Sequence, residues 1–367
     1  MELKKEIDFA IAKTTENIKI FKDTFPKPQS QNYWYEPEPC IQWTSGFFVG
    51  MEMLAYEYTG DTVFLHSADH HLDIFRYRID NKIAVDHHDM GFLYTLAAVA
   101  NYKVTGNEYA RETAILAADQ LMTRFNEKAR FIQAWGEMGS QDANRLIIDC
   151  LMNIPLLFWA SETIGDEKYA LVAKAHLYTT LDVIVRENNT THHTYFFDVD
   201  TGKPLYGRTR QGASDESCWA RGQAWGIYGM ALAYRYTKDP IMWDYFQRLT
   251  DVFVSLLPED MVPYWDMIFT DGSGEPRDTS AAAIAVCGIL EMNRHMDCSE
   301  YMLKAEEILN SLAQKYTSRK LKKNNVLLTD AMYSRPDGHN PEAAIYGDYF
   351  YMEALMRCLN PNWNIYW

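Results

Sequence analysis

The chain of 367 residues lacks most of the short signatures that announce a function. It has no glycine-rich phosphate loop and no Gly-x-Ser-x-Gly elbow, so nucleotide cradling and serine-hydrolase chemistry fall away. Its six cysteines form no Cys-x-x-Cys pair. Cys150, Cys287 and Cys358 lie in apolar stretches, as expected of free thiols in a reducing cytoplasm. The longest apolar run, Ala281 to Leu290, is ten residues with Gly288 inside it, too short to span a bilayer. Positive charge is also scarce: 35 basic against 50 acidic residues leave a net charge of −15. Without a basic stripe to neutralise phosphates, nucleic acid is excluded as a partner, and the acidity reads as a solvated outer shell. No Pro-, Gly- or Ser-rich linker divides residues 1–367, which are read as one domain. The N-terminal stretch to Phe21 is charged and amphipathic, unlike a signal peptide. No cofactor, membrane contact or obligate protein partner is expected.

What is present is a recurrence. Six apolar segments rich in small residues begin at Trp43, Asp89, Asp149, Trp219, Asp278 and Asp348, spaced 46 to 70 residues apart. Each is apolar almost all the way round at helical spacing, the mark of a buried helix. Four end in related turns, at Gly60-Asp61, Gly106-Asn107, Gly165-Asp166 and Lys238-Asp239, where Gly suits the left-handed closing position and Asp or Asn caps the next helix. A more polar amphipathic helix follows. The unit of inner helix, turn, outer helix and long return loop, repeated six times, predicts an all-α fold, an (α/α)6 barrel of six hairpins. The inner N-termini would then gather at one mouth, where unpaired N–H groups favour anions. An open solenoid is the rival architecture, and simple helix capping is the alternative role for each opening Asp.

Two carboxylates stand out. Asp149 lies in Leu146-Ile147-Ile148-Asp149-Cys150-Leu151-Met152, where desolvation should raise its pKa and make it a general acid. Asp89 follows His87 and His88, a more polar setting in which it should stay ionised. Such a contrasting pair suits acid–base work on a sugar bond. The histidine clusters Asp86-His87-His88-Asp89 and His66/His70/His71 lack recognised ligand spacing, and no metal is expected. Trp43, Trp135, His193, Gln211, Trp219, Arg221 and Trp225 should meet the same mouth. Arg221 and Trp225, four apart on one helix face, should point into one space and offer a cation beside an aromatic platform.

At these residues the chain resembles the unsaturated glucuronyl hydrolases of glycoside hydrolase family 88. The resemblance rests on His87-His88-Asp89-Met90-Gly91-Phe92, Leu146 to Cys150, and Ser217-Cys218-Trp219-Ala220-Arg221-Gly222-Gln223-Ala224-Trp225-Gly226. Gln133 to Gly136, His193 to Asp198, Arg277 to Ala281 and Tyr346 to Tyr349 add to it, and it runs from Trp43 to the C-terminus. It implies an (α/α)6 barrel that removes the 4,5-unsaturated uronic acid from disaccharides left by polysaccharide lyases. An acid would protonate C4 of the vinyl ether, water would add at C5, and the hemiketal would open and expel the partner sugar. Asp149 would be the acid and base and Asp89 its support. His193, Gln211, Arg221 and Trp225 would hold the unsaturated ring, with His88, Trp43 and Trp135 shaping and stacking the pocket. One run departs from the family's sulfate-associated Ser-x-x-Ser-x-Lys: here Ser334-Arg335-Pro336-Asp337-Gly338-His339 puts a carboxylate at the second Ser and lacks the Lys. Alternatives are an unsaturated rhamnogalacturonyl hydrolase, a sugar 2-epimerase using His88 and His193, and a carbohydrate-binding barrel without catalysis.

Overall fold

The computed structural model describes residues 2–367. Six inner helices form a ring. The first is Ser45–Thr59, and the second runs from Met90–Tyr94 through a π-helical segment, Thr95–Val99, to Ala100–Thr105. The third is Pro155–Ile164, entered through a 3₁₀ turn at Ile148–Met152. Ala220–Thr237, Thr279–Met292 and Ile345–Leu359 complete it. Their composition explains their place: in Thr279–Met292 every residue but Leu290 is buried. Small residues set the spacing. A Cβ on Gly46 would stand 2.3 Å from the Phe92 carbonyl oxygen, and one on Gly91 2.3 Å from the Asn153 Cα, so these inner helices meet backbone to backbone.

Five outer helices follow their inner partners: Thr62–Asp80, Glu108–Met122, Glu167–Ile184, Ile241–Ser255 and Ser299–Lys315. The expected turns join the first, second and third hairpins: Gly60, Gly106 and Gly165 take φ of 70°, 74° and 73°, and Asp61, Asn107 and Asp166 accept the N–H two residues on. Lys238 closes the fourth with the same left-handed backbone at φ 54°, without the help of glycine.

The sixth hairpin differs from the expectation. No outer helix follows Ile345–Leu359; the N-terminal helix Leu3–Phe21 packs against it instead, and Tyr351 donates to Glu6 at 3.0 Å. The ring is therefore closed by its two chain ends. After Leu359 the chain turns under the barrel. Trp367 stacks on Phe350 with ring centroids 6.0 Å apart, and the buried Lys103 ammonium donates to the carbonyls of Ile365, Tyr366 and Trp367. Among the described residues no helix is long and apolar enough to cross a membrane.

Return loops at the inner N-termini carry the small sheets. The largest is antiparallel and three-stranded, with Arg145–Ile147 against Thr194–Phe197 and Thr194–Phe197 against Pro204–Arg208. Arg145 is paired with Phe196 and Thr194 with Arg208.

Candidate active site

The opening aspartates are not equivalent caps. Asp278 caps its helix, accepting from the Ser280 N–H at 3.1 Å. Asp89 holds the cap position without a capping hydrogen bond, and Asp149 sits in the 3₁₀ turn ahead of its helix. Asp348 lies inside the last inner helix, where it accepts the Leu327 and Leu328 N–H groups and the Tyr35 hydroxyl. Freed from capping, Asp89 and Asp149 meet at a cleft of about 450 Å³ in the barrel mouth.

His88 stands between them. Its Nε2 lies 3.4 Å from one oxygen of Asp89 and 3.4 Å from Oδ1 of Asp149. Both ring nitrogens of His88 and Oδ1 of Asp149 are buried without a hydrogen-bond partner. Unpartnered buried polar atoms are costly until water or a ligand satisfies them. Burial lowers the His88 pKa to about 4, against the pull of the Asp89 charge, so the ring is neutral near pH 7. Burial also pushes the Asp149 carboxyl well up, reinforced by the negative charge of Asp89 and opposed by Arg221. Burial acts on Asp89 in the same sense, but His88 and His87 outweigh it and hold that carboxyl below its ordinary value. The contrast arises differently from the sequence expectation. Asp89 is the drier of the two, its side chain 3% exposed against 17% for Asp149, and imidazoles rather than water keep it ionised. A proton donor beside a fixed negative charge, at the edge of a cleft, is equipped for general acid catalysis.

His88, Asp89 and Asp149 each offer a ligand atom within 4.8 Å of one another, which is also the arrangement of a cation site. A metal-binding histidine normally donates its other ring N–H to a fixed partner. His88 Nδ1 has none, so the fit to a metal is poor.

The other predicted residues divide by depth. Trp43 borders the cleft, donates to the Tyr333 hydroxyl at 3.1 Å and stacks on Tyr346. Trp135 also borders the cleft, 38% exposed and stacked on His87 with centroids 4.3 Å apart. His193 also borders it. Its Nδ1 accepts the N–H groups of Arg210 at 3.1 Å and Gln211 at 3.3 Å, which puts the ring proton on Nε2. Burial first, then Arg221, Arg145 and Arg210, lower its pKa to about 3. Gln211 lies at the same rim, its side-chain oxygen 3.4 Å from Arg221 Nη2.

Trp219, Arg221 and Trp225 lie beneath the cleft rather than on its lining. Trp219 is covered by His193 and by the Arg221 guanidinium. Arg221 is spent internally: Nη1 bonds Asp278 and the Met332 carbonyl, each at 2.7 Å, and Nη2 bonds the Tyr333 carbonyl. Trp225 packs between Phe92 and Phe350. Expected to share one space, Arg221 and Trp225 do share a helix face, but Trp225 is one turn deeper. The cations that do border the cleft, Arg145 and Arg210, were not anticipated, nor were Gln42 and Tyr333. Alternation along Arg145, Ile147 and Asp149 was the available signal for the first: these three are half-buried while Leu146 and Ile148 between them are buried.

The sequence model of the family described as Glycosyl Hydrolase Family 88 matches residues 15–359. An unsaturated chondroitin disaccharide hydrolase of Streptococcus agalactiae is 47% identical, the match covering 100% of this chain and 94% of that protein. An unsaturated glucuronyl hydrolase of Bacillus sp. (strain GL1) is 39% identical over 95% of this chain and 94% of that protein. The crystal structure of the S. agalactiae unsaturated glucuronyl hydrolase superposes with a TM-score of 0.95 at 47% identity, covering 99% of this chain and 94% of that one. A variant of that enzyme has been solved in complex with dGlcA-GalNAc6S.

Proposed function

Because the chain belongs to Glycosyl Hydrolase Family 88, we infer that it is a glycoside hydrolase that removes the 4,5-unsaturated uronic acid from the non-reducing end of glycosaminoglycan-type disaccharides. Relatives along nearly its whole length act on unsaturated chondroitin disaccharides. The observation that carries the mechanism is the pair itself: a carboxyl at Asp149 whose pKa is raised and whose Oδ1 has no partner, beside a carboxylate at Asp89 whose pKa is lowered.

Asp149 delivers its proton to C4 of the C4=C5 vinyl ether. The ring oxygen supports the positive charge that develops at C5, and Asp89 supports it through space. Asp149, now a carboxylate, takes a proton from the water that adds at C5. The C5 hemiketal opens to a ketone by breaking its bond to the ring oxygen. C1 is left as a hemiacetal that expels the partner sugar. The acid and base are thus one residue used twice. One oxygen of Asp89 and one of Asp149 lie within 4.8 Å of each other, so the two carboxyl groups act on the same space. His193, with its proton on Nε2, and Gln211 orient the ring's oxygens, while Trp43 and Trp135 face its sides; His88 fixes the charge balance between the carboxylates. Trp219, Arg221 and Trp225 support that surface from below.

The expected compartment is the cytoplasm, since all six cysteines are unpaired and five of them buried. The deciding experiment follows the ultraviolet absorbance of the conjugated double bond in chondroitin-, hyaluronan- and heparin-derived unsaturated disaccharides. The purified chain should abolish it, and Asp149→Asn should lose about 10²–10⁴ in kcat, the range of one general acid, with an unchanged circular dichroism spectrum. A variant of undiminished rate would remove Asp149 from the mechanism.

A further inference from the structure

The three-stranded sheet at the mouth presents one face that leads straight to the catalytic turn. Arg145 and Ile147 alternate toward the cleft on the strand that leads into the 3₁₀ turn carrying Asp149, and strand pairing sets Phe196, Tyr206 and Arg208 beside them on the same face. Phe196 and Tyr206 stack with centroids 5.2 Å apart. Each ring carries a guanidinium: Arg145 lies 5.6 Å from the centre of Phe196, and Arg208 5.1 Å from that of Tyr206. Neither arginine has a carboxylate partner among the described residues, and Arg145 donates only to the Asp142 carbonyl. In a chain of net charge −15, two such cations on one sheet face are out of keeping with a solvated acidic shell. Between them, along Ile147, Thr194 and Phe196, runs a side pocket of about 200 Å³ that joins the catalytic cleft at Arg145 and His193.

We propose that this face is a second, outward subsite that takes the reducing-end continuation of a longer unsaturated oligosaccharide. Sugar rings lie along Phe196 and Tyr206, and an anionic group sits between Arg145 and Arg208. The inference rests on reading the Asp149 cleft as the seat of the non-reducing-end uronate. A ring anchored there continues outward past Arg145 and His193, which border both the catalytic cleft and the side pocket. Aromatic faces with guanidiniums above them suit sugar and anion together. The anion is either the carboxylate of the next uronate or a sulfate on the partner sugar.

The test measures equilibrium binding to the Asp149→Asn chain, so that turnover does not enter. Three ligands are compared: an unsaturated, unsulfated disaccharide, its 4-sulfated form, and the unsulfated tetrasaccharide. The tetrasaccharide is expected to bind at least tenfold tighter than the disaccharide, and Arg208→Ala to abolish that advantage. If the 4-sulfated disaccharide alone shows the gain and loses it in Arg208→Ala, the subsite reads sulfate rather than the second uronate. Equal affinities for all three, or a gain that survives both Arg208→Ala and Tyr206→Ala, overturns the proposal. Length-dependent binding in a chain whose wild type leaves every disaccharide absorbance intact would sink the catalytic reading and leave the subsite standing.

Discussion

Arg221 and Asp278 meet at 2.7 Å across the fourth and fifth inner helices, both of them buried. The other Arg221 bonds run to the Met332 and Tyr333 carbonyls and to Gln211. One ion pair therefore ties together two helices, the loop before the last helix and the rim of the cleft. Removing one member of such a pair strands the other in a dry site, at a cost of about 3–5 kcal/mol. Asp278→Asn keeps an oxygen for the Ser280 cap but loses the charge, and its unfolding free energy should fall by that amount. A loss under about 1 kcal/mol in urea unfolding would mean that the pair does not hold the mouth together.

The two active-site carboxylates make a pH prediction with a definite sign. Turnover needs Asp89 ionised and Asp149 protonated, so the pH–rate profile should be bell-shaped. Its acid limb should fall below the ordinary carboxylate range and its alkaline limb well above it. After burial, the charge of Asp89 is the main force raising Asp149. Asp89→Asn removes that charge, so Asp149 gives up its proton more easily and the alkaline limb of the residual activity should move to lower pH. An unmoved limb would assign it to another group. The same shift bears on stability. A carboxyl with a raised folded pKa favours folding below its unfolded value and loses that contribution as pH rises through the folded value. At neutral pH Asp149 therefore burdens the fold. Asp149→Asn should raise the Tm by about 2 °C or more, the effect of roughly 1 kcal/mol in a large domain, while it removes activity.

The ring was legible in the sequence because burial all round an inner helix leaves no polar stripe, and six such stretches have no other home. The high Asp149 pKa was legible for a local reason, its apolar neighbours Leu146 to Met152. Asp89 was expected to stay ionised, and its carboxyl is held below its ordinary value, but by two buried imidazoles rather than by the polar setting that His87-His88 suggested. Helical spacing correctly gave Arg221 and Trp225 one face, but spacing carries no depth: Trp225 sits a turn further in, among Phe92 and Phe350. Nor does it show that the sixth hairpin is assembled from both ends of the chain, a contact across more than 340 residues such as Tyr351 to Glu6. Arg145 was hidden because a reading tuned to helices passed over a three-residue strand.

Close helix approach at glycine can be separated from glycine's backbone freedom. Gly91 has ordinary backbone, but a Cβ there would lie 2.3 Å from the Asn153 Cα and 2.6 Å from its carbonyl oxygen, both unyielding. Gly60 is the reverse case, with φ of 70° and nothing within 4 Å of an added Cβ. Gly91→Ala should cost about 1–3 kcal/mol or more through overpacking. It should also reduce turnover, because Asp89 and Asp149 ride on the two elements forced apart. Gly60→Ala should cost about 1–2 kcal/mol from left-handed strain and leave kcat alone. Parallel urea unfolding and absorbance assays separate the two, and equal kinetic effects would refute the distinction.

Asp337 sets an expectation for sulfated substrates. It borders the cleft, accepts the Ser334 hydroxyl at 2.7 Å and lies 3.6 Å from Arg210 Nε. That contact offsets the charge of one of the two arginines bordering the cleft and leaves a carboxylate at the rim, where it disfavours a sulfate. The double variant Asp337→Ser, His339→Lys reverses both effects, freeing Arg210 and adding a second cation. The ratio of kcat/KM for 6-sulfated over unsulfated chondroitin disaccharide should rise about tenfold, equivalent to ~1.4 kcal/mol, which is modest for charges in a partly solvated cleft. The gain should shrink as salt is raised from 50 to 500 mM, because screening weakens exposed charge pairs. A ratio that stays fixed while both rates change together would show that Asp337 shapes the rim without discriminating by charge.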